Sequence, residues 1–176
     1  MVDINAALVT PSGGVPEPLD NILQGSFRML SAGGLGWSHT GDTLETTVLS
    51  LPNIIPAGAM GLNGILRITS LWSATVSDAS VKTCRVKVGG IAVDRIPLTS
   101  LRSYPKQLWL QNRNVANAQI ATDDNSQSFA AAASAAVDIY SIDTTVALDV
   151  IFTVQNALAA DNCKLERYVI EVAYAP

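Results

Sequence analysis

At 176 residues the chain is long enough for one domain with a real core, since a domain of roughly 150 residues buries about 68–70% of its unfolded surface. Hydrophobic residues make up 48% and charged ones 15%, so apolar surface is left for copies of the chain or a partner to cover, unless alanine merely carries the count. A net charge of −4, with Lys82, Arg85 and Lys87 scattered, disfavours phosphate neutralisation and so nucleic-acid binding, and no apolar run approaches the roughly 18 residues of a membrane span.

The start, Met-Val-Asp-Ile-Asn, lacks a basic stretch followed by an apolar one, so no signal peptide is read and cytoplasmic synthesis is expected. Pro11, Gly13, Gly14, Pro16 and Pro18 then crowd together, and proline neither donates to a ladder nor continues a helix. Residues 1–30 therefore read as an extended arm and residues 31–176 as the folded domain. Ile4, Leu8 and Val9 precede the proline-rich part, and Ile22, Leu23 and Phe27 follow it. An arm with such spaced anchors orders only against another surface, its own domain's or a neighbour's, or stays a disordered tail. These six residues are the candidate docking set.

From Thr43 onward the pattern is strand after strand. In Ile65–Trp72 the residues Leu66, Ile68 and Trp72 share one face and Arg67 and Thr69 the other. Lys82–Val88 puts Cys84, Val86 and Val88 inward before Gly89-Gly90 turns the chain, and Ile91 to Pro97 reads as an edge-like strand. Gln107–Asn112 is a further candidate. The alanine-rich Ser128–Ala136 is either a short helix or an extended loop. Val146, Leu148, Val150, Phe152 and Val154 make one apolar face, and Tyr168, Ile170, Val172 and Tyr174 another, opposite Arg167, Val169 and Glu171. About eight strands with turns at regular spacing predict an all-β fold: a two-sheet antiparallel β-sandwich, jelly-roll-like, with an extended N-terminal arm.

Catalytic chemistry is not apparent. Ser38, His39 and Asp42 are triad residue types, but neighbours on one turn rarely reach triad geometry, so a hydrogen-bonded turn is expected. One histidine and two distant cysteines give no zinc spacing. Asp123-Asp124-Asn125-Ser126 resembles a calcium loop in composition only, and Gly33-Gly34-Leu35-Gly36 lacks the strand and helix of a phosphate cradle. Trp37, Trp72 and Trp109 are either a sugar platform or core and interface anchors. Cys84 and Cys163 pair only if their strands lie within about 7 Å, and otherwise act as buried thiols. No enzyme, cofactor or metal is expected.

The words Ser-His-Thr-Gly (38–41), Glu-Thr-Thr (45–47), Ile-Pro-Ala-Gly (55–58) and Gly61-Leu62-Asn63-Gly64 run into a strand. Val86-Lys87-Val88-Gly89-Gly90, Gln111-Asn112-Arg113-Asn114, Asn117-Ala118-Gln119 and Leu165 to Glu171 continue the pattern. Over residues 38–174 this resembles small β-sandwich structural proteins of tailed bacteriophages. The resemblance implies a virion protein made in the host cytoplasm: a capsid decoration or head-fibre protein, a homo-oligomer, expected to be a trimer, docked by its arm on the major capsid protein or another virion component. The alternative it implies is a tail fibre or spike contacting a host-surface glycan. The absence of a long shaft favours decoration.

Overall fold

Burial alternates residue by residue along Ile65–Ala74 and Lys82–Val88, and that alternation sets which side is dry. The computed structural model describes residues 26–74, 80–99, 102–121 and 137–176. Its strands are β1 (Arg28–Gly33), β2 (Trp37–His39), β3 (Thr46–Ile55), β4 (Ile65–Ala74), β5 (Lys82–Val88) and β6 (Ile91–Leu98). Then follow β7 (Arg102–Asn112), β8 (Gln119–Ala121), β9 (Asp138–Tyr140), β10 (Leu148–Gln155) and β11 (Cys163–Ala173). β4 buries Leu66, Ile68, Ser70, Trp72 and Ala74, and the Trp72 indole donates to Ser70 Oγ at 2.8 Å, which satisfies both polar groups in the core.

The larger sheet runs β1-β11-β4-β7-β8-β9, with β2 also paired to β11, and the smaller runs β3-β10-β5-β6. β1 and β2 lie end to end along the same side of β11, so they form one broken first strand. Counted that way, the first, eighth, third and sixth strands of the frame make the larger sheet, and the second, seventh, fourth and fifth make the smaller. This is the jelly-roll order, with β8 and β9 added at one edge. The sandwich expected from the sequence is present, and among the described residues eleven strands rather than about eight arise because β2, β8 and β9 are pieces of three residues each.

Between β1 and β2 sits the Gly33-Gly34-Leu35-Gly36 joint, not a phosphate cradle. Gly36 has φ +71°, and a Cβ on Gly33 would lie 2.7 Å from the Tyr168 ring and 2.9 Å from that of Trp37. Glycine there lets two rings close on the joint, 5.6 Å apart by centroid. The core continues inward through Phe152, 5.3 Å from Tyr168 and 6.1 Å from Trp72. A ring such as Phe152, fully buried, contributes on the order of 1.5–3 kcal/mol by burial.

Several expectations need correction. β11 holds a bulge between Leu165 and Arg167, so Cys163 and Leu165 point inward in one phase and Tyr168, Ile170 and Val172 in the other. Tyr174 lies past the strand and is exposed, and Val146 lies before β10 and is exposed, so neither extends its apolar face. β7 is longer than Gln107–Asn112, and β1 begins at Arg28, inside the stretch assigned to the arm. Ser128–Ala136 falls outside the described residues.

Prolines occupy positions with an unpaired neighbour. Pro52 is in β3 and Pro97 in β6, the two edges of the smaller sheet. Pro105 lies on β7 opposite Leu71 of β4, while β8 covers only Leu110 to Asn112 on the other side. A residue without an N–H is tolerated where one side of the ladder is open.

Two ion pairs are buried, one between β5 and the turn from β10 to β11 and one between β6 and β7 across the sandwich. Lys82 Nζ is 3.3 Å from Asp161 Oδ1, and Lys106 Nζ is 3.4 Å from Asp94 Oδ1. Asp161 Oδ2 also accepts the N–H groups of Ala157 and Leu158, which pins the turn from β10 to β11.

Candidate interaction site

The outer face of the larger sheet carries a cross-strand row. The register aligns Met29 of β1 with Glu171 of β11, Glu171 with Arg67 of β4, and Arg67 with Trp109 of β7. Arg67 Nε donates to Glu171 Oε2 at 2.8 Å. The bond to Glu171 raises the Arg67 pKa against the opposing pull of burial, so the charge is fixed. Its guanidinium carbon sits 3.9 Å from the centroid of the Phe27 ring, and Phe27 meets Trp109 edge to face at 6.0 Å. Trp109 Nε1 donates to Gln107 Oε1 at 2.9 Å, which holds the indole flat along its strand.

Large apolar side chains stand open around this row. Met29 is 63% exposed, Trp109 40% and Ile139 67%. The result is an aromatic and aliphatic surface with one neutralised charge pair at its centre, the composition of an interface core rather than of a solvated face.

Of the docking residues proposed from the sequence, Ile4, Leu8, Val9, Ile22 and Leu23 lie outside the described residues. Phe27 is described, and it is the residue by which the chain enters this face. The alternation in β4 and β11 already turned Arg67 and Glu171 outward. What sequence reasoning missed was their pairing across a separation of 104 positions and the presence of Trp109 beside them.

The smaller sheet offers a different outer surface. Glu45 Oε1 is 2.6 Å from Lys87 Nζ and Oε2 is 3.4 Å from Arg85 Nη1, while Thr153 Oγ1 donates to Glu45 at 2.8 Å. Burial pushes the Glu45 carboxyl up, but the bonds from Lys87 and Thr153 and the nearby charges outweigh it and leave the group below the usual carboxylate range. Of the three basic residues read from the sequence, Arg85 and Lys87 are thus held by Glu45, and Lys82 is buried against Asp161.

The triad residue types do not assemble. His39 Nε2 is 3.0 Å from Asp42 Oδ1, which also accepts the Leu44 N–H at 2.9 Å. Those two bonds, that of His39 first, hold Asp42 below the usual range. Ser38 and His39 are adjacent in β2 and so project to opposite faces. The tryptophans form no common platform: Trp72 is in the core, Trp37 packs on Tyr168, and Trp109 alone stands on the outer row. Asp123–Ser126 lies outside the described residues. Cys84 and Cys163 are both fully buried thiols, one from each sheet. Among the described residues no helix is long and apolar enough to cross a membrane.

No family model and no curated protein matches the chain. Among solved structures it is similar to dimeric latent PorU from Porphyromonas gingivalis, with 10% identity and TM-score 0.41 over 77% of this chain and 10% of that one. It is also similar to structures of infectious bursal disease virus. The Gt strain gives 9% identity and TM-score 0.34 over 85% of this chain and 42% of that one. The Gx strain gives 10% identity and TM-score 0.28 over 85% and 41%. The chain thus spans well under half the length of each of these chains, and at these TM-scores none of them bears on function.

Proposed function

We propose that this protein is a non-enzymatic structural component of a bacteriophage virion, a capsid decoration or head-fibre protein that docks through its N-terminal arm and self-associates as a trimer. The observation that carries the reading is Phe27 lying on Arg67 and Trp109, because it takes the base of the arm directly onto an exposed apolar face. The jelly-roll order and the resemblance of residues 38–174 to small phage sandwich proteins support the same reading. Its mechanism is burial repeated over copies: the row on each larger sheet covers apolar surface of a neighbour, and several weak contacts held together raise the effective concentration of the next.

The test is electron microscopy of purified phage particles from the source culture with a gold-labelled antibody against this chain. Label over the head is expected. Label confined to the tail end would replace decoration by a fibre or spike that contacts a host glycan, and particles without label would end the virion reading.

A further inference from the structure

Two consecutive rungs cross the interior at one end of the sandwich. Lys82 and Cys84 share the inward side of β5, and Asp161 and Cys163 are likewise two positions apart where the chain enters β11. Lys82 meets Asp161 at 3.3 Å, and Cys84 and Cys163, buried from opposite sheets, lie near enough for each to perturb the other's ionisation. The ion pair therefore fixes independently the approach of the same two segments that bring the sulfurs together. Both cysteines are fully buried, and each belongs to a different sheet.

We propose that Cys84 and Cys163 are an oxidisable pair that closes into a disulfide joining the two sheets when a hydroperoxide reaches them or when the chain folds in the presence of a small disulfide. The two thiols are not equivalent. Burial pushes the Cys84 thiol well up, and the neighbouring Cys84 thiol brings Cys163 down. With hydrogen peroxide, the Cys163 thiolate attacks one oxygen, the O–O bond breaks, and hydroxide leaves and takes up a proton as water. The Cys84 sulfur then attacks the sulfenic sulfur, the S–S bond forms, the S–O bond breaks, and the second water carries away the Cys84 proton. Two thiols are oxidised and one peroxide is reduced. With oxidised glutathione the same bond forms by two exchanges, and two glutathione thiols leave. The bond closes a ring of chain from 84 to 163 that contains β6 to β10, which restricts the unfolded chain over nearly half its length.

The test uses the full chain, purified reduced and freed of reductant. One sample is treated with hydrogen peroxide, and a second is refolded from denaturant in oxidised and reduced glutathione. Both are alkylated in denaturant and weighed intact. The expected product is a monomer lighter by two hydrogens that takes up no alkylating agent, with a melting temperature higher by several degrees that dithiothreitol returns to its starting value. C84A and C163A should each yield no such species. If both thiols still alkylate after both treatments, or if oxidation ends in sulfinic acids or cross-linked dimers instead, the proposal is wrong.

Discussion

Arg67 and Glu171, 104 positions apart, meet through a 2.8 Å bond from Nε to Oε2 on the outer face of the larger sheet. The pair leaves the guanidinium plane free to carry the Phe27 ring at 3.9 Å. A charge that would otherwise oppose an apolar contact is thereby made part of it.

Replacing Arg67 by Ala should cost the fold little, about 0.5–1 kcal/mol for a partly exposed cation–π contact. Phe27 should nevertheless come away from Trp109. Tryptophan emission should shift to the red, trypsin should cut at Arg28 sooner, and, on the proposed self-association through this face, the sedimentation coefficient should fall toward that of a single copy. Unchanged sedimentation would remove this face from self-association.

The buried pair of Lys82 and Asp161 predicts a non-additive result. K82A leaves a carboxylate without its cation in the core and should lose about 3–5 kcal/mol in urea denaturation. K82M combined with D161N should recover much of that loss, because asparagine keeps an acceptor for Ala157 and Leu158 N–H while no charge remains buried. A double variant as unstable as the single one would show that the ion pair itself holds the turn from β10 to β11 against β5.

Glu45 sets an acid limit. Its folded pKa lies below the ordinary 4.5, so its contribution is fully present above the unfolded value and disappears as pH falls through the lowered one. Wild type should exceed E45Q in chemical stability by a constant amount at pH above about 5, and the two should converge on further acidification. Denaturation curves of both proteins from neutral to acid pH provide the check.

Gly61 stands at φ +67° with the Ala175 carbonyl where a Cβ would go, and Asn63, two residues on, donates to the carbonyls of Ala175 and Pro176. G61A should lose about 1–3 kcal/mol. It should also free the C-terminal residues for carboxypeptidase digestion, so that G61A is trimmed faster than wild type.

The long strands were legible because burial on one side imposes period two: Leu66, Ile68 and Trp72, or Val150, Phe152 and Val154, declare the dry face without knowledge of any partner. The Glu166 bulge was not, since an inserted residue changes phase without changing residue type, and Leu165 followed by Tyr168 reads either way. Val146 misled for the opposite reason: its alternation continues past the point where the ladder ends. Of the candidate face, the outward orientation of Arg67 and Glu171 was readable, but their meeting depends on a register set by the whole sheet. Phe27 was picked out as an apolar anchor. Its contact with Arg67 and Trp109 needed three dimensions.

The prolines on the smaller sheet reach beyond local tolerance. Both of its rims, β3 with Pro52 and β6 with Pro97, present a break in the donor row to any strand that arrives from another molecule. Crowded copies of this chain therefore cannot fuse that layer into a continuous ribbon, and contacts between them are steered toward side-chain surfaces that fit rather than backbone that would template without limit.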